Sequence, residues 1–136
     1  MKSPMTGGCL CGAIRYSIEG QPALQGVCHC KNCQKQAGTA FSMLIGVPEA
    51  AMTVTGTPTL FLDHGDSGNQ VRREFCGVCG SPLFSRVAGS EGMVFVKAGT
   101  LDDTAGFAPA FQVWAKSRQD WVDLGAVPAF ATVPGA

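Results

Sequence analysis

The segment that decides the fold covers residues 27–33 and reads VCHCKNC. It brings Cys28, Cys30 and Cys33 together in a C-x-C-x-x-C pattern. Side chains alternate along an extended chain, so the two thiols of a C-x-C pair point to the same face. Zinc bound by thiolates is tetrahedral and takes four ligands. The segment therefore predicts three ligands of one metal site and leaves its fourth position to be identified.

Four further cysteines form two similar pairs. Cys9 and Cys11 are a C-x-C pair, and Cys76 and Cys79 are a C-x-x-C pair whose glycines permit a tight turn. Each pair supplies half of a tetrahedral site. Together they predict a closed four-thiolate zinc site that ties the start of the chain to its middle, a structural site whose metal contributes directly to folding.

Disulfides are the alternative explanation for seven cysteines. An odd number leaves one thiol unpaired, and the close spacing of the cysteines favours a metal. The first residues, MKSPMTGG, contain no apolar core of a signal peptide. We therefore expect a cytoplasmic protein, in a compartment where reducing conditions disfavour disulfides.

Length and composition favour one small globular domain covering residues 1–136. The chain is 46% hydrophobic and 15% charged, which is typical of a compact fold. It contains no run of 18 apolar residues, so we expect no membrane span. Ten basic residues balance ten acidic ones, and the only adjacent basic pair is Arg72-Arg73. Phosphate binding needs a local excess of positive charge, so we expect no nucleic-acid partner.

Short apolar runs separated by glycine and proline predict a mainly β, mostly antiparallel fold. Residues 31–37, followed by Gly38, predict one or two helical turns ended by glycine. A fold of this kind presents edge strands, which makes a homodimer compatible with the sequence. The predicted strands are 13–18, 24–27, 41–47, 52–55, 59–62, 71–75, 83–87, 93–98, 111–115 and 121–124, with a polar loop at 63–69.

The three-cysteine segment has three interpretations. It can be an open site, it can take His64 as its fourth ligand, or its thiols can bind no metal. The spacing favours the open site, because catalytic zinc keeps one position for water or substrate. His29, between two ligand positions, should point away from the metal and lie close to the site, where it is a candidate proton acceptor.

The predicted ligands also indicate the chemistry. Zinc with three thiolates carries one net negative charge, which makes it a weak activator of water and disfavours a hydrolase. A soft site suits a sulfur ligand, and a thiol that coordinates zinc loses its proton. The sequence therefore favours a thiol substrate.

Four segments together resemble the glutathione-dependent formaldehyde-activating (GFA) family, also called the centromere protein V/GFA domain family. The resemblance runs in order from residue 6 to about residue 130. The segments are TGGCLCGAIRY (6–16), CHCKNCQKQAG (28–38), FCGVCGSPLF (75–84) and AGTLDD (98–103).

The resemblance implies a β-tent fold of several short coiled antiparallel sheets around two zinc ions. It implies a structural zinc on Cys9, Cys11, Cys76 and Cys79, and a catalytic zinc on Cys28, Cys30 and Cys33. It also implies S-(hydroxymethyl)glutathione synthase activity, that of a carbon–sulfur lyase. In this reaction the sulfur of glutathione takes the open zinc position and adds to formaldehyde.

One position departs from the family pattern. Many relatives carry a P-x-x-H-[IV]-[WY] motif, and this chain has Gln112 in place of the histidine. An acid–base role at that position is therefore not expected.

Some charged and aromatic side chains are candidates to line a binding site. Glutathione carries two carboxylates, which calls for cations near the zinc. Each candidate can equally be a surface charge or a core residue. The cationic candidates are Lys31, Lys35, Arg72 and Arg73, and the aromatic ones are Phe41, Phe84, Trp114 and Trp121.

The sequence is compatible with two other functions. The chain can be a zinc-stabilised binding module without catalysis, or an iron–sulfur or redox protein, because four thiolates also suit iron. A position for an exchangeable ligand at Cys28, Cys30 and Cys33 separates the enzyme from the binding module.

Overall fold

The computed structural model describes residues 1–65 and 67–134. Within these ranges the chain forms ten β-strands and one α-helix, joined by loops and short 3-10 turns. The expectation of a mainly β fold is confirmed. The strands are β1 (Met5–Gly8), β2 (Arg15–Ile18), β3 (Leu24–Cys28), β4 (Ser42–Pro48), β5 (Met52–Thr55), β6 (Thr59–His64), β7 (Gln70–Phe75), β8 (Pro82–Val87), β9 (Met93–Lys97) and β10 (Phe111–Val113), and the helix is α1 (Lys31–Ala37).

The strands form a small and a large sheet. The small sheet has the order β1-β2-β5, and the large sheet has the order β10-β3-β4-β9-β8-β7-β6. All neighbouring strands pair antiparallel except β10 and β3, which are parallel. The expected antiparallel arrangement is confirmed apart from this one pair.

The core lies between the two sheets. On the large sheet, Ile45, Val96 and Phe84 are cross-strand neighbours and are buried. Tyr16 and Ile18 of the small sheet belong to the same buried cluster. The rings of Tyr16 and Phe84 meet edge to face with centroids 5.4 Å apart. Burial of these large apolar side chains supplies the main stabilisation of the fold.

The opposite face of the large sheet is polar near its centre. Alternation along β4, β7, β8 and β9 places Ser42, Arg73, Ser85 and Lys97 on this face, and all four are buried. Cys28 is the cross-strand neighbour of Ser42 and therefore lies on the same face. The large sheet thus separates the apolar core from a buried polar region.

The helix α1 begins and ends as the sequence predicts. The side chain of Cys30 accepts a hydrogen bond from the backbone N–H of Cys33 at the N-terminus. Gly38 follows the helix with a φ of 66°, the left-handed conformation that glycine adopts without strain. A cysteine in a predicted metal site is therefore also the N-cap of the helix.

The sequence does not predict β1. The sequence MTGG is poor in strand-forming residues, and pairing with β2 determines its conformation instead. A Cβ atom at Gly7 would lie within 2.4 Å of both the carbonyl oxygen of Thr100 and the hydroxyl of Tyr16. Gly7 therefore allows the close approach of this strand to the segment after β9.

The predicted strand over residues 121–124 is wrong. Trp121 lies in a turn with its side chain exposed, and the carboxylate of Asp123 accepts a hydrogen bond from the N–H of Gly125. Such local bonds from aspartate favour turns over strands. The boundaries of the other predicted strands agree with the structure to within two residues.

Two strand ends differ from the prediction by two residues each. β6 continues through His64, so the polar loop begins later than predicted. β10 ends at Val113 because Trp114 adopts a φ of 55°, which is incompatible with a strand. Within residues 1–65 and 67–134 there is no helix long and apolar enough to cross a membrane.

Candidate metal centres

Four cysteines from distant parts of the chain meet at one end of the small sheet. Cys9 and Cys11 follow β1, and Cys76 and Cys79 follow β7. Their four Sγ atoms all lie within 4.8 Å of one another. The sulfurs of Cys9 and Cys11 are 3.6 Å apart, and those of Cys11 and Cys76 are 3.7 Å apart. All four are free thiols rather than disulfides, so this cluster could hold a metal ion.

Backbone N–H groups point at the sulfurs of this cluster. The N–H of Ile14 donates to Cys9 Sγ at 3.2 Å, and the N–H of Val78 donates to Cys76 Sγ at 3.4 Å. Hydrogen bonds from the hydroxyl and the backbone of Ser81 lower the pKa of Cys79 to about 5. These donors stabilise sulfur as thiolate, the form that binds zinc, so the donor set fits a tetrahedral zinc ion.

The second cluster forms within a single short segment. Cys28 ends β3, Cys30 caps α1 and Cys33 lies in its first turn, and all three are buried. Their sulfurs lie within 4.8 Å of one another. Among the described residues, no histidine, carboxylate or further cysteine joins them at that distance. This soft, three-sulfur donor set fits zinc with one ligand position left over.

The candidate fourth ligand His64 does not join this cluster. Its side chain is exposed at the end of β6, and its backbone carbonyl accepts a hydrogen bond from the side chain of Asn32. The same Asn32 amide donates to the carboxylate of Asp63. Residue 64 therefore contacts the first turn of α1 through its backbone.

Two buried cations lie beside the three sulfurs. The guanidinium of Arg73 donates to Asp63 at 2.8 Å and lies 3.9 Å from Cys33 Sγ. Lys97 is 6% exposed and its Nζ donates to the hydroxyl of Ser42 at 2.7 Å. Burial lowers the pKa of Lys97, whereas the nearby thiols act in the opposite direction. The sequence analysis includes Arg73 among the cationic candidates for a binding site. It does not include Lys97, because the sequence pattern shows only a polar residue at the end of a predicted strand.

These surroundings determine which sulfur is most readily ionised. Hydrogen bonds from Cys28 and Cys30, together with the positive charges of Lys97 and Arg73, lower the pKa of Cys33 far below its ordinary value. The pKa of Cys28 is raised, chiefly by its contacts with the other two sulfurs. Three neighbouring thiols resist ionising together, and the two cations on the Cys33 side favour negative charge on the cluster.

His29 is buried and does not belong to either sulfur cluster. Its Nε2 lies 2.9 Å from Oε1 of Gln112, whose own Nε2 donates to the carbonyl of Val127. Because that oxygen is an acceptor, His29 carries its proton on Nε2. Its Nδ1 is buried without a hydrogen-bond partner among the described residues. Gln112 therefore positions His29, a role that the sequence pattern does not reveal.

The remaining candidates divide between the site, the core and the surface. Trp114 packs against the three-cysteine cluster, and Phe41 lies 5.5 Å from the ring of His29. Phe84 belongs to the core. The other four candidates are exposed: Lys31, Lys35, Arg72 and Trp121.

The fold and its two cysteine clusters define a small β protein with two sites that could each hold a metal ion. Residues 4–117 match the model of the GFA family, described as "Glutathione-dependent formaldehyde-activating enzyme". The chain belongs to this family.

Individual relatives agree with this assignment. A protein of Aspergillus flavus, provisionally named a glutathione-dependent formaldehyde-activating enzyme, is 30% identical over 114 residues, which are 80% of this chain and 59% of that protein. One from Talaromyces marneffei with the same provisional name is 33% identical, again over 80% of this chain and 59% of that protein. The chain thus spans about three fifths of the length of these relatives.

A solved structure shares the fold. The crystal structure of a Rhodobacter sphaeroides protein aligns with 93% of this chain and 100% of its own, with a TM-score of 0.59 and 22% identity. At this level of identity the likeness supports the architecture alone.

Proposed function

We propose that this chain is a zinc-dependent carbon–sulfur lyase that joins glutathione to a small aldehyde such as formaldehyde, as S-(hydroxymethyl)glutathione synthase does. The observation that carries the proposal is the buried cluster of Cys28, Cys30 and Cys33, three soft ligands without a fourth among the described residues. Family membership supports the same substrates.

In this proposal the chain holds two zinc ions with different roles. Cys9, Cys11, Cys76 and Cys79 would hold a structural ion with a complete set of protein ligands. Cys28, Cys30 and Cys33 would hold a catalytic ion with one position for the sulfur of glutathione. When bound, the catalytic zinc supplies a positive centre that keeps a coordinated thiol deprotonated.

The three cysteines are buried, so the reacting groups would meet in surroundings largely shielded from water. The sulfur of glutathione forms a bond to the aldehyde carbon while the carbon–oxygen double bond opens. The thiol's proton is released and a proton is taken up by the new hydroxyl oxygen, so no oxidant or reductant is consumed. The buried cations Arg73 and Lys97 favour the negative charge that the reactants carry during this step.

The alternative is a zinc-stabilised binding module without catalysis. The observation that favours it is Gln112, which occupies the family's histidine position and cannot exchange a proton at neutral pH. His29, the nearest imidazole, has Nε2 bonded to that glutamine. Acid–base assistance by this pair is therefore not part of the proposed mechanism.

The test is to replace zinc with cobalt(II), whose visible spectrum reports its ligands, and to titrate the protein with glutathione. The proposal expects a saturable change in the sulfur-to-cobalt bands, and no change with S-methylglutathione, which lacks a free thiol. NMR exchange between labelled formaldehyde and its glutathione adduct should then be faster with wild-type protein than with Cys30→Ser. A cobalt response without faster exchange would favour the binding module, and no response to any thiol would contradict both the open site and the lyase.

The proposal carries further expectations for the whole molecule. Residues 1–136 would act as one GFA-like zinc domain in the cytoplasm, with no nucleic-acid or membrane partner. A homodimer is compatible with it. Size-exclusion chromatography with light scattering measures the oligomeric state directly.

A further inference from the structure

Lys97 is a buried cation, and none of the described residues gives it a carboxylate partner. Among the described residues, the only hydrogen bond of its side chain joins Nζ to the hydroxyl of Ser42. No aspartate or glutamate of the described chain lies within 4.0 Å of it. Burying an ammonium group is costly unless an opposite charge compensates it. Within residues 1–65 and 67–134, the charge that balances Lys97 must therefore come from groups other than carboxylates.

The register of the large sheet identifies the three-cysteine cluster as that partner. Ser42 lies directly across from Cys28 on the same face of the sheet, so the Nζ of Lys97 lies next to the position of Cys28. Arg73, the other buried cation beside the sulfurs, is paired with Asp63. The charge of Arg73 is thus already matched, and Lys97 supplies the unmatched positive charge beside the sulfurs.

We propose that Lys97 compensates the negative charge of a thiolate that enters the three-cysteine site as fourth ligand, and so selects an anionic sulfur for that position. This inference rests on the proposed function. It assigns Lys97 as a positioning residue, acting on the entering sulfur through its fixed charge.

The physical reason is the net charge of the three-cysteine site before and after the ligand enters. A zinc ion with three thiolates carries one net negative charge, and a fourth thiolate adds another. In a buried site these charges repel each other strongly. With Lys97 in place, the site is neutral before the ligand enters and carries a single negative charge afterwards. Without Lys97, the same step would leave two negative charges in a buried environment.

The experiment compares wild type with Lys97→Met in the cobalt-substituted protein. Methionine has a similar shape and no charge, and Lys97→Arg keeps the charge. Each protein is titrated with glutathione and with 2-mercaptoethanol, a thiol without carboxylates. Lys2→Met, a change at an exposed lysine that lies by the first strand, controls for the loss of net charge. The readouts are the dissociation constant of each thiol and the number of metal ions per chain.

We expect Lys97→Met to keep two metal ions and to weaken the binding of each thiol by about tenfold or more. The factor should be the same for glutathione and for 2-mercaptoethanol. Lys97→Arg should restore most of the affinity, and Lys2→Met should bind as wild type does. Should Lys97→Met fail to fold, Lys97→Gln takes its place, with the same expected weakening.

Three results would overturn the inference. Unchanged affinity for both thiols in Lys97→Met would show that Lys97 does not contribute to the charge balance of the site. Weakening confined to glutathione would mean that Lys97 binds a carboxylate rather than sulfur. Loss of metal in Lys97→Met, restored by Lys97→Arg, would show that the lysine serves to retain the metal ion and not to admit the fourth ligand. If wild type itself responds to neither thiol, the proposed function fails first, a result distinct from all three.

Discussion

Replacement of Gln112 by methionine should destabilise the fold strongly even though it preserves volume. Gln112 is 2% exposed, accepts a hydrogen bond from His29 Nε2 and donates one to the carbonyl of Val127. In the variant both partners lose their bond. A buried donor left without a partner costs about 2 kcal/mol and a half-buried carbonyl about 1 kcal/mol. The expected loss is about 3 kcal/mol in the free energy of unfolding.

Urea denaturation at a fixed, buffered zinc concentration measures this loss, because any bound metal then stabilises both proteins to the same extent. The backbone bonds of residue 112, from its N–H to Pro128 and from Phe130 to its carbonyl, do not depend on the side chain. The strand register should therefore survive. Gln70→Met, at an exposed position, is the matched control and should change stability by less than about 0.5 kcal/mol. A loss below about 1 kcal/mol for Gln112→Met would refute the assignment of this glutamine as a buried hydrogen-bonding bridge.

Three further substitutions test the sites and the fold. Cys76→Ser should lower the yield of soluble protein, and a soluble variant with both metal ions would contradict a structural role for the four-cysteine cluster. Cys30→Ser should keep the fold by circular dichroism and bind one metal ion instead of two by elemental analysis, whereas unfolding would mean that this cluster is needed for folding. Asp102→Ala removes hydrogen bonds with Arg15 and Thr6 that join the small sheet to the segment after β9. Because this ion pair is half exposed, urea denaturation should give a loss of about 1 kcal/mol. A loss above about 3 kcal/mol would contradict that estimate.

The sequence predicts the cysteine clusters because the short C-x-C and C-x-x-C spacings by themselves indicate pairs of metal ligands. The partition into four and three cysteines agrees with the two sulfur clusters of the structure. The helix after Cys30 and its end at Gly38 also follow from local rules for helix termini. The alternation of Ile14, Tyr16 and Ile18 identifies core residues, and all three are buried.

The parts that the sequence misses depend on contacts between distant segments. Lys97 lies at the end of β9, and only the pairing of β9 with β4 and of β4 with β3 places it near Cys28. Gln112 reaches His29 because β10 pairs parallel with β3, which no local pattern predicts. β1 likewise depends on its partner strand. These elements are determined by register, and register is a property of the folded chain.

The ligands of the two cysteine clusters are separated by very different lengths of chain, and this determines the order in which the clusters can form during synthesis. The ligands of one cluster lie within residues 28–33, so bringing them together closes only a very short loop. All three ligands are therefore available to a metal ion once this segment has left the ribosome. The other cluster joins Cys9 to Cys79, so it cannot close until most of the two sheets has been synthesised. A pulse of metal during synthesis should therefore fill the short-range cluster before the long-range one.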